Sequence, residues 1–227
     1  MLIIQSIVNI SEVNFYIMSS IIKLRGKGVS RIINSKVMLS PLAGVTDKIF
    51  RKLVRKWAPE SLLFTEMINA TSLKHGYGTQ KIKQLELEKG PIGVQIFDNR
   101  PFAVSEAAKL AEDSGAFLID INMGCPVKKI SRKGGGSALI NDRLLAIELV
   151  KRVSNAVKVP VTVKTRLGWE NKEENIEEFL LSLQDAGAEM ITLHGRTRKE
   201  GFSGKADWEM IGKIKELLEI PVIANGD

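Results

Sequence analysis

Short apolar segments alternate with longer amphipathic ones along the chain from residue 37 onward. Each apolar segment is six or seven residues long, which is the length of an ordinary strand. Several are apolar almost throughout, a pattern typical of parallel strands that are covered on both faces. The seven predicted strands are residues 37–42, 62–67, 91–97, 117–122, 160–166, 190–195 and 221–226.

The segments between the predicted strands carry helix signals. Residues 102–115 form an amphipathic segment that ends on Gly115, and glycine commonly ends a helix. Asp142 and Asp207 are placed to cap the helices that follow them, because an aspartate side chain can accept from the first free N–H groups of a helix. The chain therefore predicts alternating β/α units.

Two pairs of segments repeat each other. "EDSGAFLIDIN" (112–122) and "QDAGAEMITLH" (184–194) share Asp, Gly, Ala and Ile at matching positions, and "KVPVTVKTR" (158–166) and "EIPVIANGD" (219–227) share a Pro-Val strand start. Equivalent units predict an α/β fold of the (β/α)8 TIM-barrel type rather than a doubly wound sheet. No Gly-x-Gly-x-x-Gly follows the first strand, which counts against a dinucleotide-binding Rossmann domain.

The pattern divides the chain at residue 37. Residues 1–36 fit no β/α unit, and we expect an irregular lead-in with a short hairpin over the bottom of the barrel. Residues 37–227 are expected to form the catalytic barrel domain, with about seven of its eight strands. Because no helix or cap follows the seventh strand, we expect the domain to be incomplete at Asp227.

Composition and charge narrow the class of protein. The 227 residues are 44% hydrophobic and 26% charged, as in an ordinary soluble globular protein. The single cysteine excludes an intramolecular disulfide, and residues 1–10 lack the basic start and cleavage site of a signal peptide. No apolar run reaches the roughly 20 residues that span a bilayer, so we expect a cytoplasmic protein. The net charge of +7 favours an anionic partner such as nucleic acid, a nucleotide or an anionic membrane.

Polar residues stand at nearly every predicted strand end, where barrel enzymes gather their active-site residues. Taken singly, a Gln or Asn there usually satisfies loop backbone, and His194 is more often structural than catalytic. Lys164 differs because it alternates with Val161 and Val163 in a buried strand, where a lysine needs an anionic or polar partner. The strand-end residues are Ser40, Glu66, Gln95, Asn122 with Cys125, Lys164 with Arg166, His194 with Arg196, and Asn225 with Asp227.

The only cysteine, Cys125, lies just beyond the apolar run 117–121, whereas a structural cysteine would lie inside it. The cluster of basic residues after it indicates either a solvated loop or contact with nucleic-acid phosphates. Glycines 134–136 can cradle a phosphate or simply provide a turn. The basic residues are Lys128, Lys129, Arg132 and Lys133.

Other chemistries lack their residues. Two histidines, His75 and His194, and one cysteine without close ligand spacing predict no metal site. A serine hydrolase would need a nucleophile elbow, which the sequence lacks. What remains is a basic, amide-rich pocket with one thiol, suited to an anionic planar cofactor and to an acid that delivers a proton.

Eight segments, in unbroken order from about Met38 to Asp227, resemble the tRNA-dihydrouridine synthase family, and most closely its bacterial B-type branch. The Asn-Met-Gly-Cys-Pro and Leu-His-Gly-Arg-Thr-Arg segments are the most specific of them. The resemblance implies an enzyme that uses FMN, with NADPH as reductant, to reduce a uridine of tRNA to 5,6-dihydrouridine. The segments are "MLSPLAGVTDKIFR", "TEMINA", "GVQIF", "DINMGCPVKKI", "GGGSALI", "VKTRLGW", "LHGRTR" and "IANGD".

The resemblance also implies roles for the matching residues. Cys125 matches the catalytic proton donor, and contacts to the target uridine are expected from Asn122, Lys164 and Arg166. We expect the basic residues Lys128, Lys129, Arg132 and Lys133 to meet tRNA phosphates around a flipped-out base. The flavin-contacting positions are Pro41, Leu42, Ala43, Gln95, Lys164, His194, Asn225, Gly226 and Asp227.

The chemistry of this reaction explains why a thiol would lie on a loop beside the flavin. Hydride from reduced flavin to C6 of uracil leaves enolate character at C5 and O4, because the C5=C6 bond is conjugated with the C4 carbonyl. Cys125 is expected to protonate C5, since a thiol with a pKa near ~8.5 is mostly protonated at neutral pH. Lys164 is expected to offset negative charge, and His194 to donate to flavin oxygens.

The chain departs from the family pattern in two places. Leu42 stands where the family commonly has Met. The family also continues beyond Asp227 with an eighth strand, a Gly-Arg segment that grips the flavin phosphate, and a helical domain that helps to hold tRNA. Two alternatives stay open: a flavin enzyme like dihydroorotate or dihydropyrimidine dehydrogenase, and an inactive fragment that retains only RNA binding. The basic residues after Cys125 and the Leu-His-Gly-Arg-Thr-Arg segment argue against the first.

Overall fold

The computed structural model describes residues 21–83, 85–171 and 175–227. Residues 1–20 of the predicted lead-in lie outside these ranges. Within them the strands are β1 (Ile22–Leu24), β2 (Arg31–Ile33), β3 (Leu63–Phe64), β4 (Ile68–Asn69), β5 (Ile92–Phe97), β6 (Leu118–Asn122), β7 (Val161–Arg166), β8 (Ile191–His194) and β9 (Val222–Asn225). The α-helices there are α1 (Lys48–Trp57), α2 (Ala70–Lys74), α3 (Thr79–Lys83), α4 (Pro101–Asp113), α5 (Lys128–Ser131), α6 (Arg143–Ala156), α7 (Ile176–Asp185) and α8 (Trp208–Leu217), and 3₁₀ helices cover Leu85–Leu87 and Gly136–Ile140.

A parallel sheet runs through β3, β5, β6, β7, β8 and β9 in that spatial order, and β4 also pairs with β5. Each strand from β5 onward pairs with the next one along the chain, because a helix returns the chain to the starting edge between them. The sheet curls, as in a (β/α)8 barrel. The α/β fold of TIM-barrel type is therefore confirmed.

The first predicted strand was wrong in extent. It is reduced to one parallel bridge between Leu39 and Leu63. Pro41 has no N–H to continue the ladder. The chain then turns, with the backbone N–H of Thr46 donating to the carbonyl of Leu42 at 3.0 Å. The segment that was expected to reach residue 42 as a strand is thus a short extended stretch followed by a turn.

The second predicted strand, 62–67, was also wrong in extent: β3 covers only Leu63–Phe64, and a bulge separates it from β4, which lies beyond the predicted end. Phe64 pairs with Gly93, whereas Ile68 pairs with Ile96, so four residues of one strand advance against three of the other. One extra residue of this kind bends the strand and interrupts its ladder. The bulge includes Glu66, the predicted strand-end residue.

The remaining predictions of secondary structure are confirmed. The other five strands match β5 to β9 within one residue at either end. The helix predicted from 102 is α4, and Gly115 follows it with a φ of +88°, a conformation that favours glycine. Asp142 accepts from the N–H of Leu145 at 3.2 Å, and Asp207 accepts from that of Met210 at 2.9 Å.

The hairpin of β1 and β2 covers the amino-terminal end of the sheet. Its Leu24 and Ile33 are 1% and 0% exposed and pack against inner-face residues of the sheet, including Leu118. The carboxylate of Glu189, just ahead of β8, accepts from the backbone N–H groups of Arg25 and Gly26. A hairpin therefore lies at the bottom of the barrel as expected, while the division of the chain at residue 37 stays a prediction.

The repeated segments correspond to a repeated clamp in the structure. Glu112, at the end of α4, accepts from the backbone N–H groups of residues 158–159 ahead of β7, at 2.7 and 2.8 Å. Gln184, at the end of α7, accepts from those of residues 219–220 ahead of β9, at 2.9 and 3.3 Å. The two clamps occupy matching positions of the sequence repeat. Each clamp ties a helix to the second strand that follows it in the chain, α4 to β7 and α7 to β9.

Candidate active site

The carboxyl ends of β5 to β9 bring polar side chains from five strands onto the inner face of the sheet. Side chains alternate between the two faces of a strand, so every second residue points inward. Apolar inward residues lie near the hairpin, and polar ones follow toward the carboxyl ends. The residues opposed across neighbouring strands are Gln95 with Asp120, Asn122 with Lys164, and His194 with Asn225.

Asn225 joins a lysine and a histidine at one side of this site. Its Oδ1 accepts from Lys164 Nζ at 2.7 Å and lies 3.0 Å from His194 Nδ1. Burial lowers the pKa of Lys164 to about 8. Burial, followed by the positive charges of Arg166 and Lys164, lowers the pKa of His194 to about 4. At neutral pH the pair is therefore a cation beside a neutral imidazole, whose Nδ1–H donates to Asn225.

A chain of buried hydrogen bonds, here called the Asp120 chain, runs through Thr162, Asp120, Gln95 and Asn122. Asp120 accepts from Thr162 Oγ1 at 2.6 Å and from Gln95 Nε2 at 2.7 Å. Gln95 Oε1 accepts from Asn122 Nδ2 at 2.9 Å. Burial raises the pKa of Asp120 to about 6. The chain links three strands and ends at the loop that carries Cys125.

Cys125 is half-buried in the loop after β6, and its backbone is held on both sides. Its N–H donates to Asn122 Oδ1 at 2.9 Å, and its carbonyl accepts from the N–H of Ser137 at 3.1 Å. Burial raises the pKa of its thiol, while a backbone hydrogen bond and Arg166 oppose that shift. Gly136 has a φ of +60°, and a Cβ there would lie 3.0 Å from the Cys125 carbonyl oxygen. The glycine segment therefore borders the thiol loop.

Two buried arginines fasten the loops at this end of the sheet. Arg166 donates from Nε to the carbonyl of Gly124 at 2.9 Å, and from Nη1 to the carbonyls of Thr197 and Gly201 at 3.0 and 2.9 Å. Arg196 donates to the carbonyl of Ser203 at 2.9 Å and to the carboxylate of Asp227. Both guanidinium groups therefore bind backbone of residues 197–204, here called the 197–204 loop.

The 197–204 loop displays an aromatic ring over the site. Phe202 is 77% exposed. The guanidinium carbon of Arg166 lies 5.7 Å from the centre of its ring, and the ring of His194 meets it edge-on at 6.2 Å. A large apolar side chain held in the open by buried arginines is suited to stacking on a planar ligand.

The remaining predicted positions lie at the ends of the first and last strands. Pro41 is half-buried, while Leu42 and Ala43 are exposed beyond the Leu39 bridge. A Cβ on Gly226 would lie 2.5 Å from that of Ala206, so only glycine fits there. Asp227 accepts from the Ala206 N–H at 2.9 Å and from Arg196. Their contacts to flavin stay predictions.

The basic residues after Cys125 form one turn of helix and its end rather than a loop. α5 covers Lys128–Ser131, and its last turn leads into Arg132 and Lys133. All four basic side chains of this segment are exposed. They lie directly after the thiol loop, on the same end of the sheet as the polar site, so the four charges face solvent beside it.

Comparison with known proteins identifies the chain's family. A family model described as "Dihydrouridine synthase (Dus)" matches residues 38–227. The chain belongs to the dihydrouridine synthase family. A relative from Synechocystis sp., named probable tRNA-dihydrouridine synthase 1, is 53% identical over 198 residues, which are 87% of this chain and 56% of that protein. tRNA-dihydrouridine synthase B of Vibrio parahaemolyticus is 39% identical over 86% of this chain and 61% of its own length.

A third relative, the probable tRNA-dihydrouridine synthase of Rickettsia bellii, is 41% identical over 86% of this chain and 60% of that protein. The chain therefore spans little more than half the length of these relatives. Among solved structures, histamine dehydrogenase from Rhizobium sp. 4-9 is similar with a TM-score of 0.69 over 93% of this chain and 42% of its own, at 14% identity. At that identity the likeness supports the fold alone.

Three residues of the candidate site were not predicted from the sequence. Asp120 had a signal, because a charged residue inside the apolar run 117–121 needs a partner just as Lys164 does. Thr162 had none, since a threonine in a strand is ordinary. Phe202 lies in a loop without periodicity, where nothing in the sequence distinguishes an exposed ring from a buried one.

Two further properties concern the described part of the chain. No group of three or more His, Cys, Asp or Glu side chains there could hold a metal ion. None of the helices described is both long and apolar enough to cross a membrane.

Proposed function

We propose that this chain carries the catalytic part of an enzyme that uses FMN and NADPH to reduce a uridine of tRNA to 5,6-dihydrouridine in the cytoplasm. The observation that carries the proposal is the position of Cys125. In a chain of the dihydrouridine synthase family, its half-buried thiol stands on a loop whose backbone N–H is held by Asn122, beside a cluster of amides and a cation. The tRNA substrate is proposed because the relatives are named for it.

The donor set supports a flavin. The isoalloxazine ring has oxygen and nitrogen acceptors along one edge, and the ammonium of Lys164 has three N–H groups, one of which it donates to Asn225. The amide nitrogens of Gln95 and Asn225 and the imidazole of His194 lie beside it on the same face of the sheet. We propose that these residues hold FMN, together with Pro41–Ala43 and residues 226–227. FMN reduced by NADPH would supply the hydride that reaches C6 of the uracil.

The proposed proton donor is the thiol of Cys125. Burial raises its pKa, so the thiol stays protonated at neutral pH and can act as a general acid at C5. Negative charge that develops at C5 and O4 would be stabilised by Lys164, which is a cation below a pH of about 8. Asn122 and Arg166 both bind the backbone of the thiol loop and are proposed to orient the uracil.

The proposed tRNA contacts are electrostatic and aromatic. The four exposed charges of the α5 segment, Lys128, Lys129, Arg132 and Lys133, suit phosphates on both sides of an extruded base. Phe202 would stack on a base at the mouth of the site, because stacking on an exposed ring is indifferent to sequence. The positive net charge of +7 agrees with a polyanionic substrate.

The test is to supply the purified protein with FMN, NADPH and tRNA transcribed in vitro, which contains only uridine at the target positions. Dihydrouridine detected by mass spectrometry of the nucleosides supports the proposal. Reduction of free uracil or oxidation of dihydroorotate without any reaction on tRNA would favour a pyrimidine dehydrogenase. Binding of tRNA without flavin absorbance or turnover would favour an RNA-binding fragment.

A further inference from the structure

The hydrogen bonds of the Asp120 chain have a fixed direction. The backbone N–H of Cys125 can only donate, so Asn122 presents Oδ1 to it at 2.9 Å and Nδ2 to Gln95 Oε1 at 2.9 Å. Gln95 must then present Nε2 at its other end, where Asp120 accepts it at 2.7 Å. The side-chain amide of Gln95 or Asn122 could flip by about 180°, and its N–H group would then face another N–H group, that of Asn122 or of Cys125 respectively. The acceptor at Asp120 prevents this.

Because the Asp120 chain is buried, reversing the direction of its hydrogen bonds would be costly. Gln95 and Asp120 are each 1% exposed, Thr162 is 0% exposed and Asn122 is 7% exposed. Water therefore has little access to a reversed amide, and a buried donor without an acceptor is costly. Thr162 occupies the second oxygen of Asp120 at 2.6 Å, so the carboxylate has a donor on each side.

We propose that Asp120 is a positioning residue whose carboxylate holds Gln95, and through it Asn122, in the one orientation that anchors the backbone of Cys125. Asp120 acts one layer below the site and through other side chains. The burial that raises its pKa to about 6 still leaves it ionised, and so an acceptor, at neutral pH. The inference rests on the proposed function only in treating Cys125 as the proton donor.

The experiment compares two substitutions, one that preserves the direction of the hydrogen bonds in the Asp120 chain and one that does not. Asp120→Asn preserves it, because the new Oδ1 can accept from Gln95 while the new Nδ2 donates to the Thr162 hydroxyl. Asp120→Leu removes the acceptor and leaves the size of the side chain similar. Leu193→Ala is the control for lost stability, since Leu193 is fully buried in the main core cluster and takes no part in the chain.

The readout is hydrogen exchange of the Gly124 and Cys125 amides, measured by NMR on the protein as purified. Both amides donate to Asn122 in the native state, at 3.2 and 2.9 Å. We expect Asp120→Leu to speed their exchange about two- to tenfold, the range for one hydrogen bond, while Asp120→Asn stays close to wild type. Alkylation of Cys125, the only thiol in the chain, should likewise be faster in Asp120→Leu than in Asp120→Asn or wild type.

Equal exchange at these amides in Asp120→Leu and Leu193→Ala would overturn the proposal, as would an effect of Asp120→Asn as large as that of Asp120→Leu. If Asp120→Leu does not fold, Gln95→Glu replaces it. That substitution sets acceptor against acceptor at Asp120, and adding Asp120→Asn restores a donor. Exchange at the wild-type rate in the double variant, with faster exchange in Gln95→Glu, supports the proposal. Equal exchange rates in the single and the double variant overturn it. None of these readouts requires turnover, so the proposed function can fail separately.

Discussion

The guanidinium of Arg166 donates from Nε to the carbonyl of Gly124 at 2.9 Å, across 42 residues of sequence. The same group donates to the carbonyls of Thr197 and Gly201, so one side chain of β7 fastens the thiol loop and the 197–204 loop together. Arg166 is only 3% exposed. Arg166 therefore holds the backbone of both loops, in addition to the contact with the uracil that is proposed for it.

Replacing Arg166 by lysine should separate its charge from its geometry. Lysine keeps the positive charge but cannot reach three carbonyl oxygens with a planar fork. We expect the free energy of unfolding to fall by about 1.5–3 kcal/mol, the range for losing hydrogen bonds to a charged group, and dihydrouridine formation to fall with it. Urea denaturation and turnover measure the two effects. Arg152→Lys, at an exposed position on α6, is the control and should change neither.

Replacing Cys125 by alanine should abolish proton delivery and leave the site assembled. Dihydrouridine formation should fall by roughly 10²–10⁴-fold, the scale of losing a general acid. Flavin content and its reduction by NADPH should remain, because no proposed flavin contact is removed. Stopped-flow absorbance at the flavin band measures reduction, and nucleoside mass spectrometry measures product. Turnover near the wild-type rate would exclude the thiol as the proton donor.

Replacing Lys164 by methionine should stabilise the fold at neutral pH and weaken flavin binding. The pKa of Lys164 in the fold is about 8, below its ordinary value of 10.5. Between these values the unfolded chain binds more protons than the folded one, so wild-type stability rises with pH across this window. Below it the full cost of the buried cation is present, and removing it should gain roughly 1–3 kcal/mol.

Urea denaturation at pH 7 and pH 10 measures this effect, and the difference between Lys164→Met and wild type should shrink as the pH rises. Lys109→Met is the matched control, because Lys109 is exposed on α4 and pairs with Glu106 at the surface. Parallel stability curves for wild type and Lys164→Met would show that Lys164 carries no cost of burial.

Replacing the four basic residues of the α5 segment by alanine should weaken tRNA binding and flatten its dependence on salt. For each phosphate contact that is lost, tRNA binding releases about one counterion fewer. The slope of log K against log salt concentration should therefore become shallower by up to roughly three or four. Flavin content should not change. The substituted residues are Lys128, Lys129, Arg132 and Lys133.

The matched control for this variant carries four alanines at exposed lysines of α1 and α8. It changes the net charge by the same amount but leaves the α5 segment intact, so its salt slope should stay at the wild-type value. Equal slopes for both quadruple variants would indicate an effect of net charge alone. The control positions are Lys52, Lys56, Lys213 and Lys215.

Replacing Phe202 by alanine should weaken tRNA binding without loss of stability. Phe202 is 77% exposed, so its removal leaves no cavity. Losing one stacked base costs about 1–3 kcal/mol, or roughly 5- to 150-fold in Kd. Phe102→Ala is the control, because Phe102 is 56% exposed on α4, where it meets Arg152 rather than the site. Filter binding of tRNA measures both, and equal Kd values would remove the stacking role.

The sequence by itself determined the β/α order and five of the strands. Buried parallel strands need apolar residues on both faces, and this requirement leaves a continuous signal in the chain. It also placed Gln95, Asn122, Lys164, His194 and Asn225 at strand ends, because the carboxyl edge of a barrel collects such residues. The repeat in sequence likewise predicted equivalent units, which the clamps of Glu112 and Gln184 now connect.

Only the tertiary structure decided how the first two strands end and which side chains meet. The bulge near Glu66 and the turn after Pro41 depend on pairing with a neighbouring strand, which periodicity does not record. The roles of Arg166 and Asp120 also appeared only in three dimensions. A buried arginine or aspartate needs partners, and those partners come from loops and strands that are distant in sequence and brought together by the curled sheet.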